Sequence, residues 1–423
     1  MTLSRRSFLR TAAASVSVGG ITYFLPQFPA RAADPKPEAI RIGKIGIGNQ
    51  GRGNLGIHAK NCTAVCEVDS DRLAAAAAQV KKASGKEPFA HKDYRRVLDR
   101  KDVDAVVITV PDHWHALMCV DACNAGKDVY CEKPLTLTIA EGRAIVNAAR
   151  RNKRIVQTGS QQRSDEKFRR ACEYVRSGRL GKIKEVKVGI PAPNWIPKAK
   201  NPVADSSPPP ELDYDLWLGP APHRPYNAHR VHYLFRFYWD YSGGQLTNFG
   251  AHHLDITQWA LGMDESGPVA VEGTAVFHKD NWYETPDKCS ITYTYSNGVK
   301  VVCGMSEKGG CTFVGEKGTI FVTRGKIESN PKELLEEALK DTDVKLYASD
   351  NHHKDWLNCI VSRKLPICDA EIGHRSATVC HLGNIAIRTG SKLTWDPAKE
   401  QIVGDEKAAA MTTKAYREPW KLG

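Results

Sequence analysis

Between Arg41 and Gly56 the chain reads RIGKIGIGNQGRGNLG, and no other stretch narrows the possible folds so far. An alternating apolar segment, Ile42, Ile45 and Ile47, runs into Gly46, Gly48 and Gly51, spaced G-x-G-x-x-G with Asn49 and Gln50 in the turn, and then into residues able to open a helix. Each glycine answers a separate steric demand. The first permits a tight strand-to-helix turn, the second lets backbone approach a diphosphate, and the third lets helix and strand pack closely. The helix start adds unpaired N–H groups and a positive dipole end that favour an anion.

Context sharpens this reading. Thr63 to Val68, TAVCEV, reads as a second buried strand carrying Glu67, about 20 residues beyond the first glycine, where a carboxylate accepts from a ribose 2′-hydroxyl. A carboxylate there repels a 2′-phosphate, so NAD is favoured over NADP. The following pattern alternates. Helices are expected at Arg72–Lys82, Tyr94–Leu98, Trp114–Ala125 and Ile139–Arg150, and buried strands at Ala105–Val110, Asp128–Cys131 and Ile155–Thr158. Continuous β-branched runs separated by helices mean a doubly wound parallel sheet, the Rossmann arrangement.

The second half has another texture. Helix 168–177 and strand 183–190 precede a Pro-rich irregular stretch from Pro191 to Tyr226, and a helix is expected from Thr247 to Leu261. Five short strands follow, at 269–277, 289–295, 300–305, 311–314 and 318–322, with Asn297-Gly298 as a type I′ hairpin turn. These make a mostly antiparallel sheet in a second α/β domain. Helices 354–362 and 376–388 come after it. The expected division is a leader at 1–32, a nucleotide-binding domain at 33–160, a substrate and oligomerisation domain at 161–395, and a polar tail at 396–423.

Two elements carry chemistry. Strand Asp128–Cys131 leads into Glu132-Lys133-Pro134, and ligands lie beyond the carboxyl ends of strands in an open α/β sheet. An ammonium beside a reacting hydroxyl stabilises the developing alkoxide and can relay its proton. Proline restricts the backbone there and admits a cis peptide. The second element is Gly243 to Asp255, GGQLTNFGAHHLD. Asn248 and His252 share a helix face, with Asp255 three residues on, so His252 is a candidate general base whose ring Asp255 or Asn248 could orient. His253 points about a quarter-turn away.

The three motifs, GIGNQG, EKP and GGQLTNFGAHHLD, resemble those of the Gfo/Idh/MocA oxidoreductases, and the likeness runs from about Ile42 to Trp395. It implies a Rossmann domain followed by an α/β domain with a large open sheet used for homo-oligomerisation. It implies that Lys133 is the catalytic lysine and His252 the catalytic histidine. It also marks Thr109 to His115, with Pro111, His113 and His115, as a cofactor-adjacent loop. One departure stands out: many members carry Asp where this chain has Asn248, which weakens a strict Asp–His relay but leaves a hydrogen-bonding group for substrate. A carbohydrate or polyol substrate is implied, touching Lys133, Asn248, His252 and His253. The aromatic and basic segment Trp217 to Trp239, with Arg230 in it, suits a sugar ring. The expected activity is hydride transfer between a sugar, glycoside or polyol hydroxyl and tightly bound NAD. The alternatives are a glycosidase or epimerase that recycles NAD without net redox change, and a non-catalytic binding protein.

Composition sets the remaining bounds. Of 423 residues, 41% are hydrophobic and 26% charged, as in a globular protein. Ser4-Arg5-Arg6-Ser7-Phe8-Leu9, a mild apolar run to Leu25 and Ala30-Arg31-Ala32 read as a twin-arginine export signal, with a periplasmic destination. That segment has four arginines and no acidic residue, so its removal takes the formal charge from +12 to +8. The densest basic cluster, Arg150 to Arg154, falls at a helix end without interleaved aromatics, which argues against a nucleic-acid partner. Twelve cysteines occur without a C-x-x-C, so few or no disulfides are expected. His252-His253-x-Asp255 and His352-His353-x-Asp355 have metal-ligand residue types, but adjacent helical histidines diverge, and no metal site is expected.

Overall fold

The N-terminal half alternates strands and helices: β1 (Ile42–Ile45), α1 (Asn49–His58), β2 (Cys62–Cys66), α2 (Ser70–Ser84), β3 (Phe89–His91), α3 (Tyr94–Leu98), β4 (Ala105–Ile108), α4 (Asp112–Asn124), β5 (Asp128–Cys131), α5 (Ile139–Arg151) and β6 (Val156–Thr158). This computed structural model describes residues 36–193, 203–278 and 282–423, with the backbone of a strand pair at Ser15–Val18 and Ile21–Phe24. The rest of the expected leader lies outside the described residues. All six strands are parallel, in the order β3-β2-β1-β4-β5-β6. The strand order reverses direction between β1 and β4, which opens a crevice above their carboxyl ends.

Ala105 and Val107 face one side of the sheet and Val106 and Ile108 the other, all without solvent exposure. Helices α3, α4 and α5 pack on the second side. On the first side α1 and α2 cover β1 and β2, with Leu55, Ala76 and Val80 packed on Cys62 and Val65, but β4 and β5 have no helix of their own half there. That part of the sheet is covered by α11 (His352–Ser362), whose Trp356, Cys359 and Ile360 pack on Ile42, Val107 and Tyr130. That helix was expected in the substrate domain by chain order. The apolar character of β4 on both faces required cover from somewhere, and a distant segment provides it.

The second half contains α6 (Glu166–Arg176), β7 (Ile183–Gly189), α7 (Tyr214–Leu218), α8 (Gly244–Asn248), α9 (Gly250–Leu261), β8 (Ala270–Val276), β9 (Lys288–Thr294), β10 (Lys300–Gly304), β11 (Gly310–Gly315), β12 (Gly318–Thr323), β13 (Lys326–Asn330), α10 (Glu333–Glu336), then α11, α12 (Ala370–Thr389), β14 (Leu393–Asp396), β15 (Gln401–Val403) and α13 (Glu406–Ala410). Its nine strands run β13-β12-β11-β7-β10-β9-β8-β14-β15, antiparallel except for β7 beside β10. The β9–β10 turn differs from expectation. Gly298 N–H donates to the Tyr295 carbonyl at 2.9 Å, Tyr295 N–H to Val299 at 3.0 Å, and only Gly298 has positive φ, +82°. That is a type I turn closed by a left-handed glycine, not a type I′ turn.

Helix α12 joins the halves. It packs on α5, α9 and the large sheet, and the approach is close: a Cβ on Gly142 of α5 would meet His374 Nδ1 at 2.2 Å. Arg143 of α5 pairs with Glu371 at 2.8 Å and Glu400 at 2.7 Å across the seam. The expected polar tail is a structured strap. After β15 and α13, Lys414 pairs with Asp240 at 2.5 Å, Tyr416 donates to Glu141 at 2.6 Å, and the Trp420 ring meets Trp114 edge-on at 4.8 Å. A run of polar residues concealed Tyr416 and Trp420, which anchor it.

Candidate active site

A cleft of about 390 Å³ lies between the two sheets, at the switch between β1 and β4. Its floor is the glycine turn. Gly46 has φ of +83°, and a Cβ there would sit 2.2 Å from the Thr109 carbonyl oxygen. A Cβ on Gly51 would sit 2.3 Å from the Gly46 carbonyl oxygen, so α1 can lie against the turn only because residue 51 is glycine. Gly48 differs. The nearest atom to its Cβ position is 3.9 Å away, on Arg72, so this position faces open space at the head of α1. Asn49 and Gln50 line the cleft beside it.

Lys44, read above only as part of a strand, supports the turn from beneath. It is wholly buried and donates to the Gly46 carbonyl at 2.7 Å and the Ile45 carbonyl at 3.1 Å. Burial pushes its ammonium down to about 7, against the opposing pull of Glu132. Glu67 sits at the β2 end with Oε2 accepting from Ile47 N–H at 2.6 Å and Oε1 from Val68 and Asp69 N–H at 2.8 and 3.1 Å. Burial raises its pKa, and those amides counter the rise.

At the other end, the Lys133–Pro134 peptide is cis. The Lys133 ammonium crosses to the second domain and donates to the Asn248 carbonyl at 2.8 Å and to Asn248 Oδ1 at 2.9 Å. That carbonyl is available because the expected 247–261 helix is interrupted at Phe249. His252 N–H donates to Phe249 at 3.0 Å rather than to the residue four back, leaving Asn248 outside the ladder. Burial lowers the Lys133 pKa to about 8; Glu132 opposes this, and Arg236 reinforces it. His252 lines the same cleft, its Nδ1 buried with no hydrogen-bond partner among the described residues. Burial, then the Lys133 charge, holds the imidazole well below its usual pKa, so it is neutral at physiological pH.

Neither expected orienting group serves His252. Asp255 turns the other way and is locked in the core by Arg163, at 2.8 Å, and Ser376 Oγ, at 2.6 Å, with Arg163 also bound to Asp264 at 2.7 Å. Asn248 holds Lys133 instead, and its Nδ2 donates to Gln245 at 2.9 Å. Glu132 lines the cleft and accepts from Asn54 of α1 at 2.9 Å, a contact between distant segments that no motif signalled.

Four candidate residues do not line the cleft. His113 points into an aromatic cluster, with Nε2 at 3.1 Å from the Trp217 carbonyl. His115 binds the Pro134 and Val110 carbonyls at 2.8 and 3.0 Å, tying two site loops together from behind. His253 is turned to the Gly189 carbonyl at 2.8 Å on β7, and Arg230 is engaged by Asp205 at 2.8 Å and the Pro225 carbonyl at 2.6 Å. From the same loops Pro111, Trp217, His232, Tyr233 and Arg236 do line it, as does Arg324 from the β12–β13 turn. Among the described residues no group of three or more His, Cys, Asp or Glu is placed to hold a metal. His352 bonds Ser164 and the Thr158 carbonyl, both at 2.9 Å, while His353 faces His58 at 3.1 Å.

Two family models match end to end: the oxidoreductase family NAD-binding Rossmann fold over residues 40–160, and the oxidoreductase family C-terminal alpha/beta domain over residues 170–422. The chain belongs to the Gfo/Idh/MocA family. Among curated members it is 32% identical over 179 residues to a glycosyl hydrolase family 109 protein of Shewanella pealeana, covering 36% of this chain and 38% of that one. It is 32% identical over 171 residues to an inositol 2-dehydrogenase of Salmonella paratyphi B, covering 39% of this chain and 50% of that one. The matched stretch thus spans half or less of either relative. The WlbA dehydrogenase of Bordetella pertussis, solved with NADH and UDP-GlcNAcA, shares the fold with a TM-score of 0.61 at 20% identity, covering 84% of this chain and 99% of that one. The NAD-binding Rossmann domain of the family is therefore present, and a mixed, mostly antiparallel sheet follows it.

Proposed function

We propose that this family member oxidises a hydroxyl of a sugar or polyol, using a nicotinamide nucleotide held tightly in the interdomain cleft. One observation carries the reading: the Lys133 ammonium of the first domain docks on Asn248 of the second, four residues before His252, at the end of the cleft that begins with the glycine turn. The nucleotide suits the site. Gly48 leaves room for a diphosphate against the α1 N–H groups, and Glu67 retains one acceptor site, on Oε2, for a ribose hydroxyl. Arg72, which could neutralise a 2′-phosphate, is already paired with Asp69 at 3.2 Å, which supports NAD over NADP.

When bound, the nicotinamide supplies a hydride acceptor. The chain supplies the rest. Lys133, an ammonium below about pH 8, holds the substrate hydroxyl and stabilises the developing alkoxide. His252, kept neutral by burial, offers a lone pair to the departing proton. Asn248 aims the ammonium with two oxygens.

The twin-arginine pattern supports export of the folded protein with its cofactor aboard, and reoxidation of that cofactor in place by a second substrate. The face of the nine-stranded sheet on which Glu272, Thr274 and Val276 of β8 and Lys288 and Ser290 of β9 are exposed is the one we propose for self-association. A redox-neutral glycosidase is the second reading, favoured by the family 109 relative. Denaturing the purified protein should release NAD, and adding polyols or sugars should raise the near-ultraviolet absorbance of reduced nicotinamide. Release of aglycone from glycosides without lasting absorbance change selects the second reading. Absence of nucleotide, or a Lys133→Ala variant as active as the parent, refutes both.

A further inference from the structure

Two guanidiniums at the substrate end of the cleft make no ion pair within 4 Å among the described residues. Arg236, between α7 and α8, donates to the Tyr233 carbonyl at 2.9 Å and lies 4.5 and 4.6 Å over the rings of Tyr233 and Phe235. Arg324 lies 5.4 Å over the Phe249 ring. With the Gln162 amide turned so that both its atoms are satisfied, Arg324 Nε donates to the Gln162 oxygen at 3.1 Å and the Gln162 nitrogen donates to the His252 carbonyl at 3.2 Å. Among the described residues neither arginine enters an ion pair, whereas the cations at the opposite end of the cleft do: Arg72 with Asp69 and Lys92 with Asp213.

The nearby carboxylates hydrogen-bond other partners, while Asp112 still acts through its charge on Arg236 and Lys133, and Glu132 on Lys133. Glu132 accepts from Asn54 and Asp112 accepts from Ser242 Oγ at 2.5 Å. Both guanidiniums bear on the reacting groups, since each opposes the charge on Lys133 and Arg324 opposes protonation of His252. Lys133, Arg236 and Arg324 outnumber the two carboxylates that act on this group, Glu132 and Asp112, and a ligand that brings an anion relieves the remaining repulsion. Phe249 and Trp217 line the same cleft and give it apolar surface for the carbon skeleton of a sugar.

The geometry points to an anionic saccharide as the substrate, its carboxylate or sulfate held by Arg236 and Arg324 while a ring hydroxyl is presented to Lys133 and His252. This rests on the dehydrogenase reading of the cleft and names the substrate class within it. Arginine suits either group, bidentate to a planar carboxylate or forked on a sulfate.

Calorimetric titration of the full-length protein with D-glucuronate, glucose 6-sulfate and D-glucose tests it. One of the two anions should bind about 10- to 100-fold more tightly than glucose, the range of one or two charge-assisted hydrogen bonds. The advantage should shrink as salt is raised and fall about tenfold in each of Arg236→Gln and Arg324→Gln. Glucuronate ahead of the sulfate identifies a uronate, and the reverse a sulfate ester. Equal binding of all three sugars, binding of neither anion, or an undiminished preference in both variants overturns the proposal. So does loss of bound nucleotide from the variants with the preference intact, because the arginines would then serve the cofactor. An anion preference in a protein that carries no nucleotide sinks the dehydrogenase reading alone. Reduction of bound nucleotide by neutral polyols without any anion preference sinks only the anionic-substrate proposal.

Discussion

Replacing Asn248 with aspartate turns Nδ2 into an oxygen and makes the neutral amide oxygen that accepts from the Lys133 ammonium at 2.9 Å part of a carboxylate. At that distance opposite charges attract by about 6 kcal/mol at an effective dielectric near 20. Lys133 is half-buried, so solvent screens part of this, and a rise of about 1–3 pK units is the measured scale for such pairs. The Lys133 pKa therefore moves from about 8 in the parent to about 9–11 in the variant. If the ammonium is the working form, kcat/KM falls as pH climbs through about 8 in the parent, and Asn248→Asp carries that alkaline limb upward. Full pH profiles of both proteins make the comparison. An alkaline limb that stays put refutes the assignment, and an acid limb that moves up instead identifies the amine as the working form. Stability offers a second readout. Burial depresses Lys133 below its ordinary value of 10.5, so between about 8 and 10.5 the unfolded chain binds more protons than the folded one. The parent's stability thus rises with pH across that window, and the variant flattens the rise.

His252→Ala should cut kcat by about 10²- to 10⁴-fold while leaving nucleotide bound, as read by single-turnover reduction. Glu67→Ser should weaken NAD binding by about 10- to 100-fold and raise the NADP to NAD ratio of kcat/KM, because a charge-assisted acceptor and the repulsion of a 2′-phosphate disappear together. Arg163→Ala strands the buried Asp255 carboxylate and should cost about 3–5 kcal/mol in denaturant unfolding. Gly46→Ala places a methyl 2.2 Å from the Thr109 carbonyl at a φ of +83°, so the protein should be recovered without nucleotide or not fold, as judged by circular dichroism and nucleotide content.

The first domain was legible because each of its signals is local. A parallel strand buried on both faces is a run of apolar residues, and a diphosphate turn needs glycine at fixed offsets, so β1, β4 and β5 and the turn follow from reading a few residues at a time. That Lys133 and His252 border the cleft was legible for the same reason. What escaped depends on long-range packing. The break at Phe249 is decided by whether the Asn248 carbonyl finds a better partner than the helix ladder, and that partner is 115 residues away. Asp255 has the right spacing to orient His252, yet Arg163 captures it in the core. Arg324 is a single residue in a tight turn, with no pattern to mark it as facing the cleft rather than solvent. The short strands β3, β13, β14 and β15 were missed because three to five residues carry too little alternation to stand out. Lys44 shows the converse, a charged residue inside a central strand tolerated because three backbone carbonyls lie within its reach.

The strap that closes the chain has a kinetic meaning. It leaves the large sheet at β15, crosses the seam and ends with Trp420 against Trp114, a residue that also lines the cleft. Spreading the domains far enough to let a dinucleotide out would peel this segment from its anchors at Asp240, Glu141 and Trp114 in succession. On the proposed reading, residence of the nucleotide is coupled to fraying of residues 412–423. A chain ending before Thr412 should exchange its cofactor with solution far faster than the intact protein, turning a retained prosthetic group into a diffusible co-substrate.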